Sequence, residues 1–162
     1  MSGWPALFKA CQAECMTCHT DDLTPGEAKK RFVEYGRELL GCMQIGRFQV
    51  SLEDRSTAGH NLRILSSMAL DILSQVPGGD TVSRCRDRAY LLFVAKNRDY
   101  GDAFVNYGVV GIMVRLGDKF SRVESLWSDG RDPAVVSESV LDTLIDIHNY
   151  CTMVLMVMNK TS

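Results

Sequence analysis

The sequence predicts an all-α protein, most simply a helical bundle whose long helices pack antiparallel through short loops. Apolar residues recur at spacings of three and four along most of the chain, and no segment sustains the two-residue alternation of a half-buried strand. Proline and glycine fall between the apolar runs, where they punctuate helices. A chain of 162 residues, 46% hydrophobic and 23% charged, has the size of one domain and excludes a collagen, a coiled-coil rod and a disordered tail.

Residues 1–24 are rich in cysteine, with a short helix predicted near 5–16 and a break across 20–25. Thr24 then suits an N-cap, Pro25 the first helical position and Glu27 the third, which together make a capping box. Phe32, Tyr35, Leu39 and Met43 continue that helix, and Gly41 or Gly46 ends it. Residues 47–52 read equally as a short strand or an extended connector. A second pattern over 57–76 places Leu62, Leu65, Met68, Ala69, Ile72 and Val76 on one side, closed by Pro77, Gly78, Gly79 and Asp80. That turn divides the chain into 1–80, which completes the bundle, caps the site or forms an oligomer interface, and 81–162. The two are expected to form one compact unit.

Asp80 or Thr81 caps the next helix, which runs to Lys96 and breaks across 97–102. Residues 108–127 form another helix, 128–133 a loop and 134–158 the last helix. Its most apolar part, 150–158, is too short for a bilayer, which takes about 20 apolar residues, and reads as a buried helix end.

Eighteen Lys and Arg oppose twenty Asp and Glu, a net charge of −2, so nothing draws the molecule onto duplex nucleic acid or an anionic membrane. The N-terminus has no basic n-region, and Lys9 interrupts its short apolar stretch. The six cysteines, Cys11, Cys15, Cys18, Cys42, Cys85 and Cys151, are therefore read as reduced thiols of a cytoplasmic protein. Cys15, Cys18 and His19 have the spacing for haem attachment, which needs an export signal. A zinc site of Cys11, Cys15, Cys18 and His19 has suitable ligand types, but adjacent Cys18 and His19 are awkward for one tetrahedron, and buried thiols are the preferred reading.

The chemistry concentrates in the second half. Glu138, Asp142, Asp146 and Asn149 fall within roughly 80° of one another on the last helix. The rest of that helix is apolar enough that the acidic stripe is expected to face the interior, where carboxylates need a metal ion or basic partners. Arg115, Asp118, Lys119 and Arg122 share a face of the preceding helix and supply such partners. The bland outcome is a salt-bridge network; the functional one is Mg²⁺ held through oxygen with Arg and Lys on substrate phosphates. Residues 96–102, followed by Phe104, Asn106, Tyr107 and Gly108, mix aromatic faces, amides and carboxylates in what is also an ordinary turn. His60 and His148 are single; His148, beside Asn149 on the acidic helix, is within reach of the site edge, although an ordinary surface or hydrogen-bonded role is favoured for it.

These residues carry a resemblance. The runs 96–104 and 115–122, with Gly111 between them, and then 138–150, closely resemble the nucleotide-modification-associated domain of type one, over about 86–158. A more distant similarity is to the MazG-like all-α nucleoside triphosphate pyrophosphatases, whose helices carry two acidic pairs for Mg²⁺. Glu138 and Asp142 match the second pair, and Asp118 is the nearest counterpart of the first. The resemblance implies a MazG-like bundle and a Mg²⁺-dependent hydrolase that releases pyrophosphate from a (deoxy)nucleoside triphosphate.

In that reading Glu138, Asp142 and Asp118 are catalytic, and with Asp146 they hold the metal. Lys96, Arg115, Lys119 and Arg122 neutralise phosphates, while Asp99, Tyr100, Asp102 and Asn149 contact sugar or base. A homodimer or larger homo-oligomer is implied as well. The alternative is a non-catalytic module that binds a nucleotide or nucleotide signal, sequestering it or assembling with a modification enzyme. A third reading makes the charge stripes purely structural.

Overall fold

Burial organises the molecule around its most apolar helix. A computed structural model describes residues 3–16, 23–42, 52–76, 78–128 and 138–160, with the backbone alone at 42, 52–55, 138 and 139. The helices are α1 (Trp4–Met16), α2 (Pro25–Cys42), α3 (Leu52–Ser74), α4 (Val82–Tyr100), α5 (Phe104–Ser128) and α6 (Glu138–Lys160). The described residues contain no strand, so the all-α expectation holds. Of the undecided segment 47–52, only Leu52 is described, as the first residue of α3. The loop expected over 128–133 and the helix start expected at 134 lie largely outside the described residues, and α6 is described from Glu138.

Helix α6 packs chiefly against α3 and α5 and also touches α1 and α4. Val140, Leu144, Ile147, Cys151 and Val154 are buried on one side of α6, and Ile145 and Met156 on another. Residues 140–160 are, by length and composition, long and apolar enough to cross a membrane, longer than the 150–158 stretch singled out in the sequence. In the bundle 72% of that window is buried against neighbouring helices. Helices α1 and α3 contribute Trp4, Phe8, Leu62, Leu65 and Met68 to the same core as α4–α6.

The capping box at α2 forms as predicted. Glu27 Oε2 accepts from Thr24 N at 2.9 Å, and Thr24 Oγ1 accepts from Glu27 N at 3.4 Å. The Thr24 hydroxyl, and after it the backbone N–H, hold the Glu27 carboxyl below its ordinary range. Further along, α2 meets α5 at Gly36, where a Cβ would lie 1.9 Å from the ring of buried Phe120. Glycine is what permits the approach.

Thr81 rather than Asp80 caps α4, accepting from Arg84 N at 3.3 Å. The helix then continues past Lys96 to Tyr100, contrary to the break expected across 97–102. Asn and Asp on an exposed face do not stop a helix; the left-handed Gly101 does, its N–H returning to the Asn97 carbonyl. Helix α5 likewise begins at Phe104, before the expected 108, and bends at Gly108, whose φ of 60° and ψ of −160° lie in a region open essentially to glycine. Nothing crowds the Gly108 Cβ position, so Gly108→Ala is expected to cost about 1–3 kcal/mol through backbone strain alone, measured by urea unfolding.

A buried polar network ties three helices to α6. His148 Nδ1 lies 2.9 Å from the Ser66 carbonyl, which can only accept, so Nδ1 carries the proton. Nε2 is then free to accept from Gln12 Nε2 at 3.0 Å, and Gln12 also donates to the Arg86 carbonyl of α4. Thr152 Oγ1, next to Ser66 Oγ at 3.3 Å, donates to the His148 carbonyl at 2.8 Å. Desolvation lowers the His148 pKa to about 4, against the smaller opposing effect of the Ser66 carbonyl. The histidine is thus a neutral core residue, in keeping with its expected hydrogen-bonded role.

Candidate functional site

Where α4, α5 and α6 come together, beside the bend of α5 at Gly108, lies a cleft of about 330 Å³. Phe93, Lys96, Asn97 and Tyr100 line it from α4. Tyr107, Gly111, Ile112 and Arg115 follow from α5, then Asp146, Asn149, Tyr150 and Met153 from α6. Phe104 forms part of the wall, edge-on to Phe93 at 6.2 Å and to Trp4 at 5.1 Å. Phe8 stacks on the other side of Phe93 at 4.2 Å, so α1 backs the cleft with aromatic surface. Trp4, uninformative in the sequence, is a support of this wall and also lies under the Lys160 ammonium at 4.0 Å.

The residue next to the bend depends on a second glycine. A Cβ at Gly111 would lie 2.3 Å from Tyr107 Cβ, so only glycine lets Tyr107 return over the start of the helix. Tyr107 and Tyr100 are both largely exposed while lining the cleft, which leaves two aromatic faces available at its mouth.

Charge collects at the Arg115 end. Asp146 receives Lys96 Nζ on Oδ1 at 3.3 Å and Lys119 Nζ on Oδ2 at 2.9 Å, with its own side chain only 14% exposed. Two ammonium groups on one carboxylate leave a positive excess. Arg115 adds a guanidinium that has no ion pair among the described residues. Deeper in α6, Asn149 donates through Nδ2 to the Ala89 carbonyl at 3.1 Å, while its buried Oδ1 has no hydrogen-bond partner. An unpaired buried acceptor costs about 1–3 kcal/mol, which a donor on a bound molecule would recover.

The sequence-predicted residues divide accordingly. Lys96, Tyr100, Arg115, Asp146 and Asn149 line the cleft, and Lys119 reaches it through Asp146. Asp99 and Asp102 do not line it: Asp99 is exposed, and Asp102, itself at φ 58°, accepts from the Asn97 side chain. Asp118 and Arg122 are exposed on α5 and are not lining residues. Asp142 is exposed rather than interior, 3.9 Å from Arg88 of α4 instead of a base on α5. The acidic stripe therefore does not face the core as one unit; it turns from solvent at Asp142 to full burial at Asn149. The side chain of Glu138 lies outside the described residues. Phe93, Ile112, Tyr150 and Met153 were not singled out in the sequence, where they read as ordinary core positions.

No three His, Cys, Asp or Glu side chains converge on a cation-sized site among the described residues. The Asp146 donor set has both oxygens engaged by ammonium groups, so it does not fit a preformed Mg²⁺ site. Cys11 and Cys15 are buried in the core face of α1, and Cys18 and His19 lie outside the described residues. Burial pushes the Cys11 thiol up, with Glu14 adding to it, and the Cys151 thiol well up, which keeps both protonated and unreactive.

No curated protein and no solved structure matches the chain. Residues 96–158, which carry Lys96, Arg115, Asp146 and Asn149 and so the polar part of the cleft, match the family described as nucleotide modification associated domain 1.

Proposed function

We propose that the cleft between α4, α5 and α6 binds a nucleotide. The observation that carries this reading is the juxtaposition of a net positive charge, Lys96, Lys119 and Arg115 against the single carboxylate of Asp146, with aromatic walls in one concave site. Guanidinium and ammonium groups hold phosphate oxygens, and aromatic faces stack a base for about 1–3 kcal/mol each. The unpartnered Asn149 Oδ1 supplies an acceptor for a base or sugar donor. Tyr100 and Tyr107 cover the base at the mouth. The match over 96–158 to a family whose description concerns nucleotide modification supports the same ligand class.

Mg²⁺-dependent hydrolysis of a nucleoside triphosphate is the more demanding version of this reading. It asks for carboxylates disposed to meet an ion beside the phosphates. Asp142 is exposed and weakly opposed by Arg88, and Glu138 precedes it by one turn of α6. Asp146, committed to two lysines, is better placed as a charge-balancing residue than as a metal ligand. Binding is therefore the function proposed, with hydrolysis as an outcome of its test. Assembly as a homodimer or larger homo-oligomer is part of the same proposal, and a one-chain mass by light scattering would overturn it.

The test is a thermal-shift screen of ribo- and deoxynucleotides in EDTA and in Mg²⁺, with pyrophosphate detection on every hit. A ligand present at 100 times its dissociation constant adds about 2.7 kcal/mol to stability, which is readily seen. A shift in EDTA that Lys96→Gln removes is the expected result; no shift with any nucleotide would overturn the proposal. A shift only in Mg²⁺ with pyrophosphate release would instead establish the hydrolase. Asp146→Asn separates the two further. If Asp146 balances charge, its loss tightens nucleotide binding about two- to fivefold at low salt, the effect of about 0.5–1 kcal/mol, whereas loss of a metal ligand weakens it.

A further inference from the structure

Resting on the nucleotide-binding reading, we infer that the ligand of this cleft is a nucleoside 5′-monophosphate, held by Lys96 and Arg115 without a metal ion. The charges decide the phosphate count. Lys96 and Arg115 line the cleft with Asp146, and Lys119, just outside the lining, sits on Asp146 Oδ2 and cancels its charge. Two positive charges remain, and a phosphate monoester carries about −1.5 to −2 at neutral pH. The match is to one phosphate group. A triphosphate would bring about two further negative charges with no partner in the cleft.

The register of the helices points the same way. Along α6 the lining runs from Met153 through Tyr150 and Asn149 to Asp146, and along α5 from Tyr107 through Gly111 to Arg115. On α5 and α6 the aromatic residues therefore lie toward one end and the charged residues toward the other, while on α4 Lys96 lies between Phe93 and Tyr100. A polyphosphate tail leaving the charged end would meet the next turn of α6, where Asp142 is exposed with Arg88 already opposed to it. On α5 it would pass Asp118, exposed beside Lys119. Arg88 and Arg122 balance Asp142 and Asp118 along that path, so it offers no net positive charge to match the further charges of a β- and γ-phosphate, whereas an α-phosphate meets the excess at Arg115 and Lys96.

Size agrees with charge. A volume of about 330 Å³ is at the small end of the range of about 300–1,000 Å³ found for small-molecule sites. It accommodates a base, a sugar and one phosphate. The Asn149 Oδ1, on the α6 turn between Tyr150 and Asp146, lies where the sugar or base edge would follow a phosphate on Arg115.

Isothermal titration of the full chain in EDTA tests this, using the free nucleosides, 5′-monophosphates and 5′-triphosphates of adenine, cytosine, guanine, thymine and uracil. At least one monophosphate is expected to bind tenfold or more tighter than both its nucleoside and its triphosphate. Arg115→Gln is expected to bring the monophosphate to the affinity of the nucleoside while leaving the nucleoside unchanged. A triphosphate that binds as tightly as its monophosphate, with or without Mg²⁺, would overturn the inference and leave the nucleotide-binding reading standing. A nucleoside that binds as tightly as its monophosphate would overturn the role given to Lys96 and Arg115. Failure of all three ligand sets to bind would overturn both readings.

Discussion

Acidification from pH 7 to pH 5 is expected to remove about 2 kcal/mol of stability, because His148 must stay neutral in the fold and charges freely once unfolded. Its folded pKa of about 4 lies below its ordinary value of 6.5. Between those values the unfolded chain binds more protons, so stability rises with pH. The contribution is complete above about pH 6.5, falls by about 1.4 kcal/mol per unit below it, and levels off near pH 4, for a total of about 3 kcal/mol. Geometry gives the same sign as desolvation. Protonation would place a second N–H at Nε2, facing the Gln12 Nε2 donor at 3.0 Å. Rotating the Gln12 amide to relieve this would abandon its bond to the Arg86 carbonyl. Urea midpoints at pH 7.5, 6.5 and 5.5 should decline through that window, and His148→Gln should flatten the decline. A flat wild-type profile would contradict the buried neutral imidazole.

Gly36→Val is expected to destabilise the protein by about 3 kcal/mol, although a helix interior ordinarily gains from replacing glycine. The added Cβ would lie 1.9 Å from the Phe120 ring, too close for any real contact. Phe120 has little freedom to yield, being buried and packed on Phe32 at a centroid distance of 5.8 Å. Gly36→Ala should therefore also destabilise, by about 1 kcal/mol or more, where propensity alone predicts a gain of about 1. Phe120→Leu supplies the control: in that background Gly36→Ala should become neutral or stabilising. Additive effects of the two changes would show that α2 and α5 do not meet there.

Elements whose signals are local were legible in the sequence. The Thr24 and Glu27 capping box, the Thr81 cap and the apolar face of α3 depend on residues within one or two turns, and each forms. Asn97, Asp99 and Asp102 are turn-favouring residues and put the end of α4 too early in the sequence, whereas a helix needs a conformational stop, which Gly101 provides. In the sequence Gly108 reads as a helix start, and in the fold it is a bend inside a helix, a distinction set by φ and not by residue type.

The candidate site follows the same division. Lys96, Arg115, Asp146 and Asn149 stood out because charged and amide groups on apolar helices are conspicuous. Their pairing was not visible. The two lysines that meet on Asp146 come from different helices, and Lys96 is 50 residues away in the chain. Helical spacing places side chains on a face but does not say which neighbour covers it, so Asp142 was expected inside and is exposed. The Gln12, Ser66 and His148 network was equally hidden, since its members are 82 and 136 residues apart.

A nucleotide in the cleft is expected to place its phosphate at Arg115 and its base end toward Tyr107. Chemical-shift mapping on ¹⁵N-labelled protein, titrated with nucleoside 5′-monophosphates in EDTA, tests it most directly. The Asn149 side-chain amide, the Arg115 Nε–H and the backbone amides of 96–111 and 146–153 should move together, while those of α2 stay fixed. Shifts that cluster on another face, or none with any nucleotide, would contradict the account.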